Sequence, residues 1–277
     1  MVLVNPARGS VDADFHSVPT VHLDARAGRT LVAWVRGHPQ ARVRLAPSGI
    51  ARPRVRVPAW SRAGDPHGPL LKPDLLAPGV GVIGAVPPDA RGLRWDLESG
   101  TSASTAAVSG LAAALGAAPG WTPGQVRSAL ATTARSLRGA GPFRQGAGLA
   151  AANPADRPLL AYLPRPGAYR RWLDGLVSAE ALDAPSVFLS TGPSTSTVVT
   201  RRVTNVGRRA RYFSSTATGF GHHQVVVTPA ATQLAPGESL AFRIQVYGVG
   251  RRPVDSGAVT WTAADGSTVR IPVVITR

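Results

Sequence analysis

Residues 98–118 read E-S-G-T-S-A-S-T-A-A-V-S-G-L-A-A-A-L-G-A-A, and no charged residue occurs from Ser99 to Val126. A tight Gly100-Thr101-Ser102 turn opens the run. A helix this poor in charge is ordinarily buried on all sides, and its Ala, Ser and Gly residues let neighbouring elements approach closely. Pro119 and Gly120 then stop it. The predicted element is a central helix with Ser102 at its N-terminus. There the first backbone N–H groups lack helical partners, and the helix dipole favours negative charge. That environment suits a nucleophilic Ser, because the oxyanion of acyl transfer forms beside it. A Ser at a helix start is also the ordinary N-cap, so the flanking sequence carries the assignment.

Upstream lies K-P-D-L-L-A-P-G (residues 72–79), and downstream W-T-P-G-Q-V-R-S-A-L-A-T-T-A (residues 121–134). Together these resemble the C-terminal half of the catalytic domain of subtilisin-like serine proteases, the subtilases. There K-P-D-x-x-A-P-G precedes G-T-S-M-x-x-P-H-V-x-G and a helix ending A-L-x-x-T-A. The resemblance implies that Ser102 is the nucleophile, with Gly100 and Thr101 supporting the turn and the oxyanion site. Ala103 stands where Met is usual, and Ala106 and Ala107 stand where Pro and His are usual. The resemblance also implies an α/β fold, with a mostly parallel sheet and a buried helix. Asp74 of the K-P-D motif is then part of the scaffold and not catalytic.

Composition sets the outer bounds. A chain of 277 residues with 44% hydrophobic residues can hold two domains with cores of their own. There is no Cys, so no disulfide framework and no Cys-based metal site. No cofactor and no metal site are expected. The net charge is +16, and Lys72 is the only Lys. Such a balance raises nucleic-acid binding, but no nucleic-acid motif is visible. The densest cluster, Arg42, Arg44, Arg52, Arg54 and Arg56, alternates with apolar residues as the solvent face of strands would. No apolar stretch is suited to spanning a membrane, because the run around Ser102 is broken by Gly and Pro. Neither nucleic acid nor membrane is therefore an expected partner.

Four segments follow in order. Residues 1–47 hold short strands, at residues 2–4 and around Val21, and a helix over residues 28–37 with Leu31, Trp34 and Val35 on one face. They resemble the end of a protease-associated domain, which some subtilases carry as an insert. Residues 48–168 form the C-terminal part of the peptidase domain. A strand is predicted at residues 54–60, a short buried strand at residues 80–86, and a helix with Thr122 as N-cap, Pro123 at N1 and Gln125 completing a capping box. The G-A-G segment starting at Gly146 resembles the end of that domain. Residues 169–182 are a linker, whose Tyr169, Trp172 and Leu173 are expected to pack between domains. From residue 183 to 277 the period changes to two: Leu240, Phe242, Ile244 and Val246 alternate with polar or small residues, and so do Val269, Ile271, Val273 and Ile275. Asp265-Gly266 supplies a hairpin turn. This predicts an all-β sandwich, and V-T-R-R-V-T-N-V-G (residues 199–207) resembles the fibronectin-type-III-like tail of the same subtilases. His222 and His223, adjacent on a strand, would point to opposite faces.

Acyl transfer by Ser needs a base and an acid to orient it. Subtilases supply them in the order Asp, His, Ser, in D-[ST]-G and H-G-T-x-[VT]-A. Neither motif occurs here; His67-Gly68 continues as Pro69-Leu70. The Asn oxyanion donor of the family is absent as well. Removing the base costs subtilisin roughly 10⁶-fold in rate, so this chain alone is expected to be inactive. Met1 leads at once into a strand, as in a truncated product. The expected protein is thus the C-terminal portion of a secreted serine endopeptidase, acting on peptide or protein substrates when an N-terminal half completes it. A non-catalytic protein-binding module is the alternative. Oligomeric state is not legible.

Overall fold

The computed structural model describes all residues except 8–10, 12, 13, 47–54, 118, 153–157, 192–195 and 249–252, and the side chains of residues 90 and 91. Asp12, Arg52 and Arg54 therefore lie outside the described residues. The chain divides into two compact units, residues 1–62 with 78–107, and residues 63–77 with 108–277.

In the first unit, β1 (Val2–Val4) pairs in parallel with β2 (Val21–Leu23). Helix α1 (Ala25–Gly37) follows at once. It begins three residues earlier than its apolar spacing predicts, because the Asp24 carboxylate accepts the N–H groups of Arg26 and Ala27, both at 2.8 Å, and caps it. Gly28 sits where α1 crosses β1: a Cβ there would lie 2.0 Å from Val4 Cγ1. Trp34 and Val35 of the predicted apolar face are exposed. Arg42 and Arg44 lie in irregular chain, as do residues 55–58, so the described part of the strand predicted at 54–60 is a loop. Next, β3 (Val82–Ala85) and β4 (Trp95–Glu98) form an antiparallel hairpin, with α2 (Pro88–Arg91) in its connection. The strand predicted as buried is β3, yet its Ile83 is 62% exposed, because β4 is its only strand partner and no described element covers that face.

Helix α3 (Thr101–Gly116) matches the predicted helix. It is not buried on all sides: none of its residues is buried. From Val108 onward it lays Val108, Leu111 and Leu115 against Val126 and Leu130 of α4 (Pro123–Thr132), joined by Leu75 and Trp121. Among the described residues its other faces have no such layer. The capping box of α4 forms as read, with Gln125 N–H donating to Thr122 Oγ1 and Thr122 N–H to Gln125 Oε1. Where a mostly parallel sheet was expected over residues 48–168, the described residues there form the parallel bridge of Leu76 with Leu149 and the antiparallel pairing of β3 with β4. A short helix α5 (Pro142–Gln145) precedes it.

The rest of the second unit is a sandwich of two sheets. One has the order β10-β8-β12-β13-β6, built from β6 (Val187–Ser190), β8 (Arg211–Thr218), β10 (Ala231–Leu234), β12 (Val254–Ala263) and β13 (Thr268–Thr276). The other has the order β5-β7-β11-β9, from β5 (Leu160–Ala161), β7 (Ser196–Asn205), β9 (Gln224–Thr228) and β11 (Ser239–Tyr247). Period-two alternation sends Phe242, Ile244, Val246, Val269, Ile271, Val273 and Ile275 into one core. Trp261 and Phe242 meet edge to face at 5.2 Å. The turn at Gly266 (φ 82°) joins β12 to β13 as predicted.

The sandwich also recruits residues ahead of its own repeat. Leu160 and Tyr162 are fully buried in its core, and β5 pairs with β7. Tyr162 N–H donates to Ser128 Oγ of α4 at 2.9 Å. Phe143 meets Phe188 edge to face, and Arg270 Nη1 donates to Ala147 O. In the linker, α6 (Ala168–Leu173) half-buries Tyr169 and Trp172 but leaves Leu173 75% exposed.

Candidate active site

Ser102 occupies the second position of α3, exposed, as does Thr101 before it. The N–H groups of Thr101, Ser102 and Ala103 have no partner among the described residues, as expected for a first helical turn. This turn is braced by the loop after Pro78. Gly100 N–H donates to Gly79 O at 2.8 Å, and Gly81 N–H to Ser99 Oγ at 2.9 Å. Only Gly fits at position 79, since a Cβ would come within 2.1 Å of Ser104 Oγ and 2.9 Å of Gly100 O. Within the turn, Thr105 Oγ1 donates to Thr101 O. The arrangement can present a hydroxyl and unpaired N–H donors to one developing anion.

Among the described residues no base is hydrogen-bonded to this hydroxyl, and Ser102 Oγ makes no hydrogen bond. His22 Nε2 bonds Asn5 Oδ1 at 2.7 Å, His16 lies in irregular chain, and His67 stands in a turn whose N–H donates to Asp65 Oδ1.

In the second unit, K-P-D is a scaffold junction. Asp74 accepts from Lys72 Nζ at 2.5 Å and from Arg127 Nη2 at 3.0 Å. Burial alone would raise its pKa, but these two cations outweigh it and hold the carboxyl below the usual range. Arg127 also donates to Tyr169 Oη and lies 5.4 Å over the Tyr169 ring. The chain 146–149 closes on the same motif. Ala147 N–H donates to Asp74 O, and Leu76 N–H to Gly148 O. Gly146 (φ 56°) is required there, because a Cβ would lie 2.0 Å from Pro73 O.

Two polar centres in the sandwich escaped the sequence reading. Arg201 is 2% exposed. Its guanidinium donates to the carbonyls of Glu180, Thr200 and Ser186, its Nε reaches no acceptor, and burial pushes its pKa down to about 10. The signal was present: in V-T-R-R-V, Val199 and Val203 are core residues, so period two places Arg201 inward. The second centre is Asp255. It accepts the N–H groups of Gly221, His222 and His223, and faces His223 Nδ1 at 3.0 Å. Burial raises its pKa, yet these donors prevail and hold it low. His222 and His223 lie in the loop between β8 and β9 rather than on a strand.

Residues 44–148 match the subtilase family, and residues 181–275 match the fibronectin type-III domain. The match spans both the K-P-D scaffold and the Ser102 turn. Over residues 44–148 the chain is similar to the subtilases. The same likeness extends to longer curated relatives. Subtilisin-like protease SBT3.16 of Arabidopsis thaliana is 26% identical over 99% of this chain and 41% of its own. Subtilisin-like protease SBT1.4 of Arabidopsis thaliana is 35% identical over 58% of this chain and 25% of its own. The chain thus spans less than half the length of these subtilases. Among solved structures, the FixG-related protein from Vibrio parahaemolyticus aligns with 30% of this chain and 78% of its own at 13% identity. The TM-score of 0.27 is too low to support any conclusion.

Proposed function

We propose that this chain is the serine-bearing C-terminal portion of a subtilisin-like endopeptidase, with Ser102 as nucleophile. Residues 48–168 are its share of the peptidase domain, residues 1–47 the end of a protease-associated domain, residues 169–182 a linker and residues 183–277 the fibronectin-type-III-like domain. The observation that carries this reading is the Ser102 turn: an exposed hydroxyl beside unpartnered N–H groups, braced through Gly79 and Gly100. A Ser becomes strongly nucleophilic only with a base in reach, and none is hydrogen-bonded to it among the described residues. Activity on peptide or protein substrates therefore requires an Asp-, His- and Asn-bearing part. Likeness to subtilases, which are generally secreted, supports an extracellular setting for that work.

The test is labelling by a fluorophosphonate probe, read by intact mass. The purified chain labels no faster than its Ser102→Ala variant, and faster labelling appears when an N-terminal subtilase part is joined or added. Rapid, Ser102-dependent labelling of the isolated chain would reveal a base of its own, to be located by substituting His16, His22 and His67 in turn. No labelling in any complemented form would remove Ser102 from the role.

A further inference from the structure

Independently of Ser102, the segment from residue 165 to 183 and strand β7 enclose a cleft of about 570 Å³. Arg165, Arg171, Arg201 and Arg202 are among its lining residues, against the two acidic residues Glu180 and Asp183. Arg201 is buried in this lining: its guanidinium donates to three carbonyls, its Nε is unpartnered, and the nearby charges of Asp183 and Glu180 offset only part of the effect of burial. The side chains of Arg165, Arg171 and Arg202 have no ion-pair or hydrogen-bond partner among the described residues. Asp183 spends an oxygen on the backbone N–H of Arg202 at 2.8 Å. The cleft therefore carries more cationic than anionic charge, four arginines against two carboxylates, and the side chains of Arg165, Arg171 and Arg202 are open to an anion.

A second observation concerns the backbone. On the side of β7 away from β11, β5 covers only Thr204 and Asn205. Arg202 N–H on that side goes to Asp183. Alternation along the strand puts the N–H and C=O groups of Val198 and Thr200 on the same side. The carbonyl of Thr200 is used by Arg201 Nη1, and no described strand pairs the rest. Val198 is 50% exposed, and both residues line the cleft. An open edge of this kind pairs readily with another chain.

We propose that the cleft binds an acidic peptide in extended form, which adds to the edge of β7 at Val198 and Thr200 and sets its carboxylates against Arg165, Arg171 and Arg202. Guanidinium forks match carboxylates two bonds at a time, and the strand edge supplies the backbone recognition that a simple anion cannot use.

The probe is a fluorescein-labelled peptide of alternating Glu and Thr with blocked ends, titrated into the full chain and read by anisotropy. Binding is expected at low salt and weakens as salt is added. The double variant Arg165→Gln with Arg171→Gln, both exposed positions, weakens it by about tenfold or more, as loss of charge-assisted bonds would. A Gln-for-Glu peptide loses as much, and so does a peptide of equal charge with Pro at the strand-pairing positions. Inorganic phosphate competes only at far higher concentration. No binding of the Glu peptide, equal binding of the Gln peptide, or an unaffected double variant would overturn charge recognition. Equal binding of the Pro peptide, or displacement by phosphate at the peptide's own concentration, would overturn strand addition.

Discussion

The first unit and the sandwich use the same kinds of apolar residue and bury them very differently. Among the described residues of the first unit, Ala25 is the only buried apolar side chain, while Phe15, Trp34, Ile83 and Trp95 are exposed. The sandwich gathers nineteen buried side chains into one cluster. The difference is one of partners. Each sandwich strand has a facing sheet, whereas among the described residues the β3–β4 hairpin and the outer faces of α3 have no second layer. Apolar content thus marks where a core could form; only a complementary layer makes one.

The contrast should be sharpest for single truncations. Trp261→Ala is expected to cost about 3–5 kcal/mol, and Ile83→Ala less than about 0.5 kcal/mol. Denaturant unfolding followed by circular dichroism measures both. Equal losses would erase the distinction between the two regions.

Asp255→Ala comes next. It strips acceptors from the N–H groups of Gly221, His222 and His223, an expected loss of about 2–3 kcal/mol. Because the folded carboxyl is held below its ordinary value of 3.8, the stability it lends is present above that value and fades as pH falls through the lower folded one. The gap between wild type and variant should therefore narrow in acid. A gap unchanged down to the acid end would assign the effect to packing alone.

The smallest effect is expected from Asp74→Ala. Its ion pairs with Lys72 and Arg127 are partly exposed, and such pairs contribute about 0–1 kcal/mol. The readout is local: amide exchange of α6 should quicken as Arg127 loses one of the two partners that hold it against Tyr169. Unchanged exchange there would show that the linker helix docks without this network.

Local signals in the sequence were read well. Thr122, Pro123 and Gln125 start α4 as their capping chemistry requires, and the alternating strands around Phe242 and Ile271 face the core that their period indicates. Failures came where tertiary context decides. Uncharged α3 promised burial, but burial needs neighbours, and a helix cannot state in its own sequence whether they are present. The alternating Arg and Val of residues 55–58 look like a strand and stay a loop, because alternation without a paired strand fixes nothing. Strand β5 is two residues long and invisible to any periodicity. For Ser102, position on the helix was legible and chemical competence was not, since a base is a matter of another segment's geometry.

The parallel pairing of β6 with β13 has a consequence for biosynthesis. Val187 and Leu189 sit beside Val273 and Ile275, the last strand of the sandwich to be made. At about 5–20 residues per second on the ribosome, β6 waits roughly 4–18 s for its neighbour. During that interval two core side chains and a row of backbone donors and acceptors stand uncovered on a nascent chain. Closure of this sheet therefore waits until residues 268–276 have been made and have emerged, and the β6 segment is where a holding chaperone would find its hold.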